Sequence, residues 1–182
     1  RLNGLKYKNK LHNMARALSD LGTDVLPGVG CAVIGLSEVE NNKVLDALVA
    51  QPELAARGYK YCHVEGPDKR GIDCALLYNP ALFSVRDVKL VPYVYDLPKD
   101  TARATRGFLT VSGTMAGEHL TVVVCHWPSR GASSHYREIA GTQVKAVKDS
   151  LLRDDPNCKV MVMGDMNDDP TNKSMTDCLS CK

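Results

Sequence analysis

Residues 120–130 read LTVVVCHWPSR, and this stretch indicates the class of the fold. Successive side chains of a strand point to opposite faces, so Val122 and Val124 would lie on one face. Val123 and Cys125 would lie on the other face, which is equally apolar. Strands that are apolar on both faces are typical of sheets covered on both sides. The stretch therefore predicts a sheet with a further layer packed against each face.

Segments of helical and strand type alternate along the rest of the chain. The spacing of apolar residues predicts helices around residues 11–18, 44–49 and 139–152, the second of which ends near Gly58. Apolar runs predict strands at residues 31–36, 59–64, 72–78, 82–95, 108–111, 120–127 and 160–163. The order predicts one α/β domain with a central sheet or paired sheets and helices outside.

Size and charge limit the classes of function. A chain of 182 residues suits a single domain with a sizeable core. Its formal net charge of +2 is too small for a general affinity for nucleic-acid backbone, so any such contact would be local. The apolar stretch at residues 25–36 is too short to span a membrane, and it is interrupted by proline and glycine. We therefore expect no transmembrane segment.

The cysteines favour a reducing compartment. Their odd count of seven, without regular spacing, argues against a disulfide framework. Cys178 and Cys181 form a C-x-x-C pair without a second pair, which makes a zinc or redox site a weak interpretation. Cysteine usage thus leans towards the cytoplasm. No signal peptide is visible, although a periplasmic or secreted chain whose leader had been removed would look the same.

Three predicted strands run directly into polar side chains. CAVIGL is followed by Glu38 and Glu40, and LTVVVC is followed by His126. KVMVMG is followed by Asp165 and Asn167. Ligand sites in α/β sheets gather at the carboxyl ends of strands, so we expect these side chains to meet.

Such a set of groups suits one reaction class. Mg²⁺ is usually held by one or two carboxylates, with water and substrate phosphate completing its coordination. A second carboxylate can orient an attacking water, while amide and imidazole groups can donate to phosphoryl oxygens. A soft metal would need more histidine or cysteine than these strand ends hold. The sequence therefore predicts metal-assisted hydrolysis of a phosphoester.

Each group also has a structural explanation. Glu38 or Glu40 could occupy the first turn of the following helix, where the helix dipole favours an acid. His126 could be a hydrogen-bonded histidine at a strand end, and GDMND could be an ordinary turn. We expect GDMND to deliver Asp165 and Asn167 to one side of a locally extended chain. Its glycine would let the backbone pass close to its neighbours.

Five segments carry a family resemblance. They are IGLSEVEN, RGIDCALLY, TRGFLTV, VVVCHWPSR and VMGDMNDDP, in this order, and the matched region runs from about residue 9 to residue 169. The chain resembles the endonuclease/exonuclease/phosphatase superfamily with its deoxyribonuclease-I-like fold, and bacterial members in particular. The resemblance implies a four-layered α/β sandwich, in which two packed mixed sheets are flanked by helices. The family's N-terminal Asn strand and C-terminal Ser-Asp-His block have no counterpart, so residues 1–182 would be a core fragment, incomplete at both ends.

The same resemblance implies roles for the residues at the strand ends. Glu38 would be the ligand of Mg²⁺ or Mn²⁺. Asp165 would orient or activate the water, and Asn167 would hold the phosphate. His126 would donate a hydrogen bond to a phosphoryl oxygen and stabilise the transition state.

Three further residues match positions near the substrate phosphate. Arg70 and Arg106 would bind the phosphate, with a structural salt bridge as the alternative for each. Asp73 would touch the substrate or orient Arg70 or a neighbouring amide.

The expected function is a divalent-metal-dependent phosphoester hydrolase, foremost a phosphodiesterase or nuclease. The partner implied is a phosphoester substrate, nucleic acid among the candidates. Two alternatives stay open on the same fold. One is a phosphatase of inositol phosphates or lipid head groups, and the other is a catalytically silent binding module.

Overall fold

The structure is a computed structural model that describes residues 4–94 and 105–180. Within these ranges the chain forms four α-helices, seven strands and one short π-helical turn. In chain order they are α1 (Gly4–Asp20), β1 (Val33–Val39), α2 (Asn42–Val49), α3 (Pro52–Ala55), β2 (Lys60–His63), β3 (Asp73–Tyr78), β4 (Phe83–Val91), β5 (Phe108–Met115), β6 (Glu118–His126), α4 (Ser134–Asp154), β7 (Lys159–Asp165) and the turn Ser174–Cys178.

The strands form two sheets that pack face to face. One sheet is antiparallel and has the order β1-β3-β2. The other has the order β4-β5-β6-β7, in which only β6 and β7 run parallel. Helix α4 supplies the crossover that a parallel pair requires. The sheets approach closely, because a Cβ atom added at Gly35 in β1 would lie 2.8 Å from the sulfur of Met163 in β7.

The two faces of β6 are buried in different layers, as the sequence predicts. Val122 and Val124 lie in the cluster between the two sheets. Val123 and Cys125 lie in the cluster that includes buried residues of α4. On the far side, α1, α2 and α3 pack their buried leucines against the outer face of the β1-β3-β2 sheet. The order helices, sheet, sheet, helix is the expected four-layered α/β sandwich.

Several boundaries differ from those predicted from sequence. The second predicted helix is divided, because α2 ends at Val49 and Pro52 begins α3; proline lacks the N–H that a continuing helix needs. The strand predicted at 31–36 starts and ends later, and the one predicted at 160–163 extends to Asp165. The last residue of the strand predicted at 82–95 lies outside the described residues, as does Cys181. Among the described residues, no helix has the length and apolar character needed to cross a membrane.

The described cysteines are free thiols. Cys74 is buried, and this burial raises its pKa to about 12. A thiol with so high a pKa is unreactive at neutral pH and packs as a small apolar side chain.

Candidate active site

The parallel pairing of β6 and β7 brings His126 and Asp165 side by side. The two residues are register partners at the ends of their strands. One residue further on, the Trp127 N–H donates to the Asp165 carbonyl at 2.9 Å and prolongs the ladder. Nε2 of His126 lies 4.0 Å from Oδ2 of Asp165, so the two groups face each other without a direct hydrogen bond. An imidazole and a carboxylate therefore lie at the same sheet edge.

Glu38 reaches this region through an irregular strand end. It lies within β1 rather than beyond it, which differs from the sequence prediction. The register of β1 against β3 shifts between Leu36 and Val39, and Glu38 has a φ of 61°. This left-handed conformation is uncommon for a residue with a side chain. Bulges of this kind redirect side chains and are frequent beside active sites. The Glu38 side chain is exposed and can accept a ligand.

Four charged side chains near His126 affect its pKa. Burial lowers the pKa of this imidazole, and the positive charges of Arg106 and Arg70 lower it further. The carboxylates of Asp165 and Glu38 act in the opposite direction. His126 is consequently neutral at pH 7 and has one N–H to donate and one nitrogen to accept. Its Nδ1 atom is buried and has no hydrogen-bond partner among the described residues.

The GDMND loop is tightly turned rather than extended. Asn167 has a φ of 52°, and its N–H donates to Oδ1 of Asp165 at 2.9 Å. The expectation of a locally extended chain is therefore wrong, because the aspartate carboxylate caps a turn that asparagine tolerates well. Oδ2 of Asp165 still faces His126, so one carboxylate supports the turn and borders the site. The close backbone approach at Gly164 is confirmed, since an added Cβ would overlap the Cys125 carbonyl.

The side-chain amide of Asn167 is held in one orientation. Its Nδ2 donates to the Trp127 carbonyl at 2.9 Å. The main-chain carbonyl of Asn167 accepts from Nε of Arg130 at 3.1 Å. An asparagine NH₂ group carries two hydrogens, so one remains for a ligand. The structure thus presents a fixed, neutral donor beside His126 and Asp165.

Arg106 is buried, and its guanidinium contacts protein groups. Nε donates to the His126 carbonyl at 3.1 Å, and Nη2 donates to the Trp127 carbonyl at 3.2 Å. Nη1 lies 2.9 Å from Oδ2 of Asp68, whose side chain is also buried. These contacts favour the structural salt bridge over direct binding of phosphate. Sequence reasoning missed Asp68, because a pair separated by 38 positions leaves no periodic signal and the aspartate lies in a turn sequence.

Arg70 is exposed, whereas Asp73 is buried. The Arg70 side chain is 61% exposed, with Nε 3.5 Å from Asp68, and it is free to reach a substrate phosphate. Asp73 is buried, accepts from the Gly66 N–H at 3.0 Å and contacts Nε2 of His63 at 3.1 Å. Of the alternatives for Asp73, the orientation of a neighbouring amide fits this geometry. Contact between Asp73 and the substrate phosphate stays a prediction.

The donor set fits a hard cation with few protein ligands. Among the residues described, no three His, Cys, Asp or Glu side chains lie close enough to form a complete metal cage. Glu38 and Asp165 are exposed carboxylates, which is the oxygen chemistry that Mg²⁺ and Mn²⁺ prefer. Mg²⁺ commonly keeps several waters and takes the rest of its ligands from substrate phosphate. A metal held mainly by Glu38 is compatible with these residues.

Solved structures share this fold at low sequence identity. ANGEL2, a 2′,3′-cyclic phosphatase, has a TM-score of 0.68 and 16% identity over 96% of this chain and 47% of its own. TDP2 from D. rerio, complexed with a single-strand DNA product, has a TM-score of 0.65 and 16% identity over 97% of this chain and 60% of its own. The human Nocturnin catalytic domain with a bound sulfate has a TM-score of 0.60 and 18% identity over 80% of this chain and 54% of its own. The chain spans about half the length of the first of these proteins.

Sequence comparison identifies the family. A search of curated proteins finds no match. The sequence model of the Endonuclease/Exonuclease/phosphatase family matches residues 1–182, which is the whole chain. The chain therefore belongs to the endonuclease/exonuclease/phosphatase family.

Proposed function

We propose that this chain belongs to a divalent-metal-dependent phosphoester hydrolase that cleaves phosphodiesters of nucleic acids or nucleotides. The observation that carries the proposal is the pairing of His126 with Asp165, beside the oriented amide of Asn167. Family membership supports the reaction class. The substrate class is supported by two proteins of the same fold, a 2′,3′-cyclic phosphatase and TDP2 with its single-strand DNA product.

Each residue of the site has a separate role in the proposed hydrolysis. The Asp165 carboxylate can hold a water through Oδ2 and accept its proton as it attacks phosphorus. Asn167 directs its remaining N–H at a phosphoryl oxygen and adds no negative charge. Neutral His126 donates to the same phosphoryl group as charge develops on it. Mg²⁺ or Mn²⁺ bound at Glu38 would supply Lewis-acid polarisation of a phosphoryl oxygen.

A substrate panel tests the reaction class. Plasmid DNA, RNA, bis-para-nitrophenyl phosphate and inositol phosphates are incubated with the protein and Mg²⁺ or Mn²⁺. We expect turnover of diesters and a rate loss of about 10²–10⁴-fold in Asp165→Asn. Asp155→Asn is the matched control, because Asp155 contacts His119 at the opposite end of β6. Preference for the inositol phosphates would support the phosphatase alternative, and absence of all turnover would leave a silent binding module.

The metal assignment has its own test. Isothermal calorimetry with Mg²⁺ and Mn²⁺ is carried out on the wild type and on Glu38→Gln. We expect the substitution to weaken metal binding and activity together, because it removes the negative charge that a hard cation requires. Equal metal affinity in the two proteins would contradict the assignment.

A further inference from the structure

A buried ion pair lies behind the loop that carries Asn167. Nε of Arg137, on α4, is 2.8 Å from Oδ1 of Asp168, the residue after Asn167. The two side chains are only 7% and 4% exposed. Removing charges from water in this way is costly, and a buried pair is often no more stabilising than an apolar pair of similar size. This ion pair therefore calls for an explanation beyond stability.

Asp168 fixes the loop that follows β7. Its carboxylate accepts from the Ser174 hydroxyl at 2.6 Å and from Nδ2 of Asn172 at 2.7 Å. Burial opposes the charged form, but these hydrogen bonds and Arg137 outweigh it, so the pKa of Asp168 lies below its ordinary value. The group is ionised at neutral pH and holds residues 168–174 as one unit.

Arg137 fixes the segment that follows β6. Its Nη1 atom donates to the Ser129 carbonyl at 3.1 Å and to the Ala132 carbonyl at 3.3 Å. One arginine thus holds the segment 127–132 through carbonyl groups and the loop 165–169 through Asp168. The two pieces of chain touch again where the Asn167 amide donates to the Trp127 carbonyl.

We infer that Arg137 and Asp168 are positioning residues for Asn167. By docking the loop 165–169 against the segment 127–132, the pair sets the direction of the N–H that Asn167 keeps for a ligand. The inference rests on the proposed function, because it assumes that this N–H meets a phosphoryl oxygen. The rival explanation is a pair that only stabilises the fold.

A kinetic double-mutant cycle separates the two explanations. Asp168→Asn is made in the wild type and in Asn167→Ala, and kcat and KM are measured on the best diester of the panel. We expect kcat to fall about 10- to 100-fold in the wild-type background, because small misplacements of a reacting group cost this much. In the Asn167→Ala background we expect no further loss. An equal loss in both backgrounds would overturn the inference.

A double substitution tests whether stability explains the effect. Arg137→Met with Asp168→Leu replaces the pair by apolar side chains, which should restore much of the melting temperature lost in Asp168→Asn. We expect kcat to stay low although the fold is restored. Recovery of kcat together with the melting temperature would favour the purely stabilising explanation. If Asp168→Asn does not fold, Ser174→Ala weakens the same carboxylate contact and takes its place in the cycle.

A spectroscopic test needs no catalysis. The two side-chain amide protons of Asn167 are followed by ¹⁵N NMR in the wild type, Asp168→Asn and the control Asp155→Asn. We expect both shifts to be displaced from free-asparagine values in the wild type and the control, and to move towards those values in Asp168→Asn. Unchanged shifts in Asp168→Asn would overturn the inference. If no substrate is turned over, the proposed function fails, while this measurement still decides whether the pair orients Asn167.

Discussion

At the scale of single residues, the protonation of His126 depends on Asp165. Burial and the cations Arg106 and Arg70 lower the pKa of His126, while the Asp165 carboxylate raises it. Asp165→Asn should therefore lower the His126 pKa further. The imidazole is titrated by NMR in metal-free buffer, with Asp155→Asn as the control. An unchanged or raised pKa in Asp165→Asn would show that the two groups do not interact.

The same depressed pKa predicts how stability depends on pH. The unfolded chain protonates His126 at its ordinary pKa of 6.5, whereas the folded protein does so only at lower pH. The unfolded state therefore binds more protons between these two values, and the free energy of unfolding should fall as pH decreases below 6.5. Urea denaturation across this range is compared with His126→Gln, which should lose this component of the pH dependence.

The two arginines near the site should respond differently to substitution. Arg106→Ala leaves the buried Asp68 carboxylate without this partner and frees two carbonyls, so we expect a loss of about 3–5 kcal/mol in the free energy of unfolding. Arg70→Ala removes an exposed side chain, so the melting temperature should stay nearly constant while KM rises. Denaturation and kinetics are measured on both. A stable Arg106→Ala with raised KM would favour direct phosphate binding instead.

Some residue positions could be predicted from sequence and others could not. The position of His126 next to the end of an apolar run is a local property of the chain, and the parallel pairing then places it beside Asp165. The partner of Arg106 is 38 positions away and is set by tertiary packing. The bulge that exposes Glu38 depends on the register against β3, which local patterns do not contain.

At the scale of elements, Gly164 determines how closely β6 and β7 pair. It has a φ of 128°, which side chains rarely allow, and an added Cβ would overlap the Cys125 carbonyl. Gly164→Ala should destabilise the protein by more than the ~1–3 kcal/mol of backbone strain alone. Gly117→Ala is the control, since its φ of 81° is also positive but its surroundings are open. Similar losses in the two variants would show that strand contact at Gly164 has little effect.

Element types could be predicted because periodicity is local. The hairpin of β5 and β6 turns at Ala116 and Gly117, both with positive φ as in a type I′ turn. The apolar spacing continues across Pro52, so it predicts one helix where the structure has α2 and α3. The pairing of strands that are distant along the chain could not be predicted, since it follows from contacts between distant segments.

At the scale of the whole molecule, the layers concentrate the candidate site at one sheet edge. β1 belongs to one sheet and β7 to the other, and the two strands are in contact through Gly35 and Met163. The groups around His126 consequently come from both sheets. No single segment contains the site, so its substrate surface depends on the packing of the complete sandwich.

The overall charge predicts a weak salt dependence of nucleic-acid binding. With a formal net charge of +2, basic side chains only slightly outnumber acidic ones. Arg70 is an exposed basic side chain beside His126. Each phosphate neutralised on a single strand contributes about −0.7 to the slope of log K against log salt. We expect a slope between about −1.4 and −2.1 for a short single-stranded oligonucleotide, which corresponds to two or three neutralised phosphates.

The slope is measured by fluorescence anisotropy between about 50 and 200 mM salt, using Asp165→Asn so that the oligonucleotide is not cleaved. Adding Arg70→Ala should reduce the slope by about 0.7, because one phosphate contact is lost. Adding Arg86→Ala should leave the slope unchanged. The charge of Arg86 interacts with Asp155, which lies at the opposite end of the sheet from the site. Both substitutions remove the same charge, so a difference between them reports position rather than net charge. A slope steeper than about −4 would require an extended basic surface and contradict a local contact.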